Sequence, residues 1–141
     1  MVPISNKWVF VKKQNKEGEV IKYRARLVAK GCAQRPRFDY TETFSPVIRM
    51  NTLHAILALL PEKGLKLHQM DIKGAYLNGT LQETIYMRQP AGCEDGTGHI
   101  CKLVKTLYGL KQAGHEWNNK FDGKLKVHEY GQLLSDPCAY I

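Results

Sequence analysis

The chain of 141 residues lacks any apolar run near the roughly 18 residues needed to cross a bilayer, and its first residues hold no apolar core of a secretory signal. The expectation is an intracellular protein, cytoplasmic or nuclear, with no membrane partner. Cysteine is scarce. Cys32, Cys93, Cys101 and Cys138 fall at irregular separations, which argues against disulfides in a chain without an export signal. Cys93, His99 and Cys101 form the one cluster resembling metal ligands. Structural zinc takes four ligands, usually in two close pairs, so three scattered side chains beside a glycine-rich turn is the better reading. There is no internal repeat and no low-complexity stretch. Acidic residues are also few, 13 against 21 Lys and Arg.

That imbalance is concentrated. Residues 1–50 hold 11 basic and 4 acidic side chains, and residues 51–141 hold 10 and 9, so +7 of the net +8 lies in the first third. A polarised basic surface is the footprint of a protein that meets phosphates, in nucleic acid or in nucleotides; the plainer alternative is a solvated basic face. With 43% hydrophobic residues, the chain is rich enough in apolar groups to bury a core of one ordinary domain, or part of one.

Lys7 to Lys13 reads as a strand, Gln14 to Gly18 as a turn, and Glu19 to Ala29 as a returning strand, which makes a basic β-hairpin. Gly31 to Pro46 is an irregular connection. Asn51 or Thr52 is expected to cap a helix with Leu53, Ile56, Leu57 and Leu60 on one face, ended by Pro61 and Gly64. Leu65 to Ile72 reads as a short buried strand with Asp71 near its end. Thr84 to Met87 and His99 to Lys105 are further strands around a loop from Gln89 to Gly98. From about Gln112, the spacing of Trp117, Phe121 and Leu125 predicts a second helix closed by Gly131, with Gly114 and Gly123 each weakening it by about 1 kcal/mol relative to alanine. The order of elements predicts an α+β fold with a mostly antiparallel sheet.

The segment His68-Gln69-Met70-Asp71-Ile72-Lys73-Gly74-Ala75-Tyr76-Leu77-Asn78-Gly79 concentrates the chemistry. Nucleotidyl transfer needs carboxylates that hold two divalent cations about 3.5–4 Å apart, and Asp71 is placed to be one such ligand; taken alone, an Asp there could equally cap a turn. Gly74 and Ala75 are small enough for backbone N–H groups to approach a triphosphate, and Tyr76 could pack against a sugar or simply fill a core. Leu107-Tyr108-Gly109-Leu110-Lys111-Gln112 sets a glycine turn and a cation directly before the second helix, a place that favours phosphate.

In this order the chain resembles the reverse transcriptase of copia-type (Ty/copia) retrotransposons, part of the Pol polyprotein. The residues that carry the resemblance are Lys7-Trp8-Val9-Phe10, Tyr23-Arg24-Ala25-Arg26-Leu27-Val28-Ala29-Lys30-Gly31 and Asp39-Tyr40-Thr41-Glu42-Thr43-Phe44-Ser45-Pro46-Val47. They continue through His68-Gln69-Met70-Asp71, Ala75-Tyr76-Leu77-Asn78-Gly79, Ile85-Tyr86-Met87, Leu107-Tyr108-Gly109-Leu110-Lys111-Gln112-Ala113 and Ser135-Asp136-Pro137-Cys138. The resemblance implies an incomplete right-hand polymerase. Residues 1–64 would hold the basic hairpin, connection and first helix of the fingers, 65–80 the palm strand with Asp71, 81–106 strands and a loop, and 107–141 a palm loop and helix.

By that resemblance Asp71 is the first catalytic, metal-binding aspartate, for Mg2+ or Mn2+, and Tyr76 the aromatic that excludes a ribose 2′-hydroxyl. Tyr108, Gly109 and Lys111 match the loop beside the incoming nucleotide. Among Lys12, Lys13, Arg24, Arg26 and Lys30, one or two would face the triphosphate; Arg24 and Arg26 are favoured, and strand alternation allows either face. Lys12, Lys13 and Lys30 then fall to the RNA or DNA template-primer, with dNTPs as substrate.

The departures from the pattern matter. The family's Tyr-Val-Asp-Asp turn has no counterpart before Ala139-Tyr140-Ile141, and Gly114 and His115 stand where Pro and Arg are usual, loosening the helix start. The expectation is a fragment of an RNA-directed DNA polymerase that is inactive alone, its missing palm and thumb belonging to a longer polyprotein. The alternatives are a non-catalytic nucleic-acid-binding module that uses the basic hairpin, and a remnant of an element without function.

Overall fold

The computed structural model describes residues 2–141. Strands β1 (Asn6–Gln14) and β2 (Val20–Ala29) form an antiparallel ribbon, with Asn6 opposite Ala29, Val11 opposite Arg24, and an irregularity at Lys13/Gln14. Alternating β-branched and aromatic residues favour the pleat. The turn is set by Asn15, whose side-chain oxygen accepts the N–H groups of Glu17 (3.1 Å) and Glu19 (2.8 Å), and by Gly18 at φ +86°. The base of the ribbon is tied to the body. Ile4 bridges to Met87, and the Ala29 N–H donates to the Tyr108 carbonyl at 2.8 Å.

Ile4, Ala29, Ile85, Met87, Leu110 and Ala113 form the buried core, with Leu27, Leu81, Leu103 and Leu107 packed around it. Strands β3 (Tyr86–Arg88) and β4 (Ile100–Lys102) pair beside it, shorter than the expected stretches, and the 89–98 segment loops between them. In that loop, hydrogen bonds from the Thr97 hydroxyl and then Gln89 hold the Asp95 carboxyl down to about 2.

Helix α1 (Met50–Glu62) starts two or three residues earlier than expected. Arg49 is its N-cap, not Asn51 or Thr52, and the segment is held by the buried Asp136 carboxylate, which accepts the Arg49 N–H at 2.9 Å. Pro61 lies inside the last turn, and Gly64 at φ +61° turns the chain so that the Leu65 N–H reaches the Leu60 carbonyl at 2.9 Å. No residue of α1 is buried.

The expected strand from Leu65 to Ile72 is absent. The segment is irregular and exposed, with Met70 88% accessible. A strand exists through its partners, and no described strand lies alongside to take up these backbone groups. For the same reason there is no single sheet. Three separate two-stranded antiparallel sheets, the last between β5 (Gln132–Leu133) and β6 (Asp136–Tyr140), replace the expected mostly antiparallel one.

Helix α2 (Ala113–Val127) includes Gly114 and His115. Gly114 lies against Ser45, and His115 Nδ1 lies 2.7 Å from the Phe44 carbonyl oxygen, so this end of the helix is packed on the connection. Gly131 does not close the helix. Glu129 takes the left-handed conformation (φ +66°), the Tyr130 N–H donates to the Leu125 carbonyl, and Gly131 instead pairs with Ile141. No helix among the described residues is long and apolar enough to cross a membrane.

Candidate functional site

Arg24, Arg26, Asp71, Ile72, Lys73, Gly74, Ala75, Tyr76 and Tyr108 line one cavity of about 370 Å³. Three stretches far apart in sequence meet there, and each arrives for a local reason. Arg24 and Arg26 are two apart on β2, so their side chains leave the same face of the ribbon, opposite Val11 and Val9. The Asp71 segment turns in at Gly74, whose φ of +63° suits a residue without Cβ, and continues into a 3₁₀ turn at Ala75–Asn78. That turn is pinned by the Thr106 hydroxyl, which donates to the Tyr76 carbonyl.

The loop before α2 is held hardest. Gly109 sits at φ +89° in backbone contact with the end of β2, where a Cβ would collide with the Ala29 carbonyl oxygen and Val28. Gln34 and the fully buried Gln112 brace it from behind. The Lys111 N–H donates to Gln34 Oε1 at 2.8 Å, Gln34 Nε2 to Gln112 Oε1 at 2.9 Å, and Gln112 Nε2 to the Asp39 carbonyl at 2.9 Å. Tyr108 is thereby fixed with its ring edge-on to Tyr76, centroids 6.1 Å apart, and with the Arg26 guanidinium 5.8 Å from its centroid.

The remaining candidates lie elsewhere. Gly109 is a packing residue beneath the cavity. Lys111 turns away, its ammonium 4.7 Å from the Tyr40 ring centroid and 3.1 Å from that hydroxyl. Lys12 and Lys13 leave opposite faces of the ribbon; Lys13 shares the face of Arg24 and Arg26, and Lys12 does not. Lys30 is exposed at the end of β2. Lys22, opposite Lys13 on the arginine face, and Lys73 in the cavity wall were missed by the sequence reading. The i, i+2 spacing of Lys22, Arg24 and Arg26 was the available signal for the first.

Asp71 is exposed, and it is the one carboxylate of the cavity wall. Among the described residues no three His, Cys, Asp or Glu side chains gather to hold a metal ion, so Cys93, His99 and Cys101 do not form a site either, and all four cysteines are free. One carboxylate among three cations is a poor donor set for a pair of divalent ions. Away from the cavity, burial and the neighbouring Glu83 raise the pKa of Glu116, whereas backbone N–H groups of Arg49 and Cys138 lower that of Asp136.

Residues 1–140 match the family model for reverse transcriptase (RNA-dependent DNA polymerase), and the chain belongs to that family. Its type is that of copia/Ty1 Pol polyproteins. It is 46% identical over 140 residues to the retrovirus-related Pol polyprotein from transposon TNT 1-94 of Nicotiana tabacum, covering 98% of this chain and 10% of the relative. The corresponding polyproteins of transposons RE2 and RE1 of Arabidopsis thaliana are 44% and 40% identical over 137 residues, each match covering 96% of this chain and 9% of the relative. The chain thus spans about a tenth of the length of these curated relatives. No solved structure matches it.

Proposed function

We propose that this chain carries the fingers and the first palm segment of an RNA-directed DNA polymerase, and that the cavity receives the incoming dNTP. The observation that carries this reading is the convergence of Arg24, Arg26 and Lys73 with Asp71, Tyr76 and Tyr108 around one opening. Three cations offset the charge of a triphosphate, and guanidinium groups can grip phosphate oxygens in pairs. The Gly74-Ala75 backbone lets the ligand approach closely, and the exposed Tyr76 ring, held by Tyr108, flanks the sugar position.

Asp71 is the group that would meet a divalent ion in the longer protein, where such an ion would neutralise phosphate charge. The donors described here do not make that site, and no catalytic step follows from them. Lys13 and Lys22 extend the arginine face toward a template-primer, and Lys30 stands at its base. The boundaries proposed for the parts are 1–64, 65–80, 81–106 and 107–141, the second now an irregular segment instead of a strand.

The test is dNTP titration of the purified chain beside an Arg24→Ala/Arg26→Ala variant, followed by isothermal calorimetry. Saturable binding that weakens at least about tenfold in the variant is expected, as for the loss of charge-assisted phosphate contacts. Equal binding by both proteins would overturn the cavity assignment. Primer extension by the chain alone should stay at background, and extension abolished by Asp71→Asn would overturn the view of it as a catalytically incomplete piece.

A further inference from the structure

Behind the Tyr108 loop, the two buried glutamines end on a carboxylate that lies outside the cavity. Glu83 is half-buried, two residues before the core residue Ile85, and it is not part of the cavity wall. Its Oε2 accepts a hydrogen bond from Gln112 Nε2 at 3.3 Å, and its Oε1 accepts the Thr41 N–H and the Thr41 hydroxyl at 3.1 Å each. From Gln112 the bonds run on through Gln34 to the Lys111 N–H. An amide side chain donates at one end and accepts at the other, so this order holds in one sense only. A carboxylate can only accept. Gln112 therefore turns Nε2 to Glu83 and to the Asp39 carbonyl, which leaves its Oε1 for Gln34 Nε2, and Gln34 in turn presents Oε1 to Lys111. Gln34 and Gln112 are both buried, so turning either amide round would set donor against donor with no water to relieve it.

We propose that Glu83 is a positioning residue for the cavity: by fixing the sense of the Gln112–Gln34 bonds, it sets the place of Tyr108 in the wall. For nucleotide binding the inference rests on the reading of that cavity as the dNTP site. Glu83 does not reach the cavity and acts through the backbone. The Gln34 N–H donates to the Gly31 carbonyl, closing the short 3₁₀ turn Gly31–Ala33. Gly31 in turn lies so close to Gly109 that a Cβ there would collide with the Gly109 carbonyl oxygen. The same turn thus grips the loop twice, through the Gln34 bond to Lys111 and through backbone contact at Gly109. A packed contact of this kind has no gap in which to absorb a displaced Gln34, so the shift passes to Gly109 and its neighbour Tyr108. The Tyr108 ring is the one set edge-on to Tyr76 and beside Arg26.

The test uses two readouts on the full chain: dNTP affinity by calorimetry, and the proton NOE between the Tyr76 and Tyr108 rings in a tyrosine-labelled sample. Glu83→Leu, which removes the acceptor at similar size, should weaken dNTP binding about fivefold or more and lose the ring NOE. Thr41→Val removes a donor to Glu83 Oε1 but leaves the link to Gln112, and it should change neither readout. Gln112→Glu sets two carboxylates against each other and should weaken binding strongly. Glu83→Gln/Gln112→Glu restores a donor facing an acceptor at that link, and should bind dNTP more tightly than Gln112→Glu alone and regain the NOE. Circular dichroism melts show which variants are folded, and either comparison stands if the other fails to fold. Unchanged readouts in Glu83→Leu, an equal loss in Thr41→Val, or a pair no better than Gln112→Glu would each overturn the proposal. Unfolding of both Glu83→Leu and the pair would assign Glu83 to the fold alone and overturn it too. Absence of dNTP binding by the unsubstituted chain would strike the reading of the cavity, and the ring NOE then decides the role of Glu83 by itself.

Discussion

Six hydrophobic side chains around Ile85 are buried against one another, whereas α1 and the segment behind it leave Ile56, Leu57, Leu59, Leu67, Met70 and Ile72 exposed. Both regions carry strong apolar patterning, so the pattern does not separate them. The difference lies in neighbours. The Ile85 region receives the base of the ribbon, β3, β4 and the start of α2, each bringing a few apolar groups and satisfied backbone. The α1 region receives one anchor, the Asp136 carboxylate, and no apolar layer. The first region is packed from several sides, and the second is held at one point with its apolar side chains exposed.

The largest test of that contrast is a pair of truncations. Ile85→Ala should cost about 2–5 kcal/mol in urea denaturation, the usual range for emptying a packed site. Leu57→Ala, with the same chemistry on α1, should change stability by about 0.5 kcal/mol or less. Comparable losses at the two positions would break the comparison.

A smaller effect is expected at the link between the regions. Asp136→Asn should lower the melting temperature at neutral pH by weakening the hold on Arg49 and Cys138. The Asp136 pKa is lowered in the fold, so its contribution is complete above the ordinary carboxylate value of about 4 and is lost as pH falls through the lower folded value. Melting curves of the variant and the unsubstituted chain should therefore converge in acid, and a gap independent of pH would exclude the carboxylate as its source.

The smallest change should come from within the well-packed half. Glu116 is buried near Glu83 and its pKa is raised, so its charged form disfavours folding at neutral pH. Glu116→Gln should raise stability there, and the gain should shrink as pH falls through the raised folded value and vanish below the ordinary value of about 4.3. A loss of stability at neutral pH would show that this region tolerates no change even where charge is unfavourable.

Local signals were legible in the sequence wherever a few adjacent residues carry the cause. Asn15 and Gly18 place the hairpin turn, and the spacing of Trp117, Phe121 and Leu125 places α2. Leu65–Ile72 misled because its composition suits a strand while no described strand lies alongside to pair with it. The β5–β6 hairpin went unseen because its first strand is two residues long, too short for any periodicity. Helix α2 ends at Val127 with the left-handed turn at Glu129, not at Gly131, because a glycine nearby is only a permission for that turn.

The candidate site divides in the same way. Asp71, Gly74, Ala75, Tyr76, Arg24, Arg26 and Tyr108 were nameable from residue type and family pattern, but their meeting in one cavity depends on Gly109 and buried Gln112 drawing distant segments together. Alternation alone left open which face the cations take; the ribbon's docking on Tyr108 turned Arg24, Arg26 and Lys13 one way and Lys12 with Phe10 the other. Sequence by itself determined the family, the charge polarity and the local elements, because each is written in neighbouring residues or in composition. Tertiary structure decided which apolar stretches are core and which cations share a site, because burial and convergence belong to pairs of segments and not to either one.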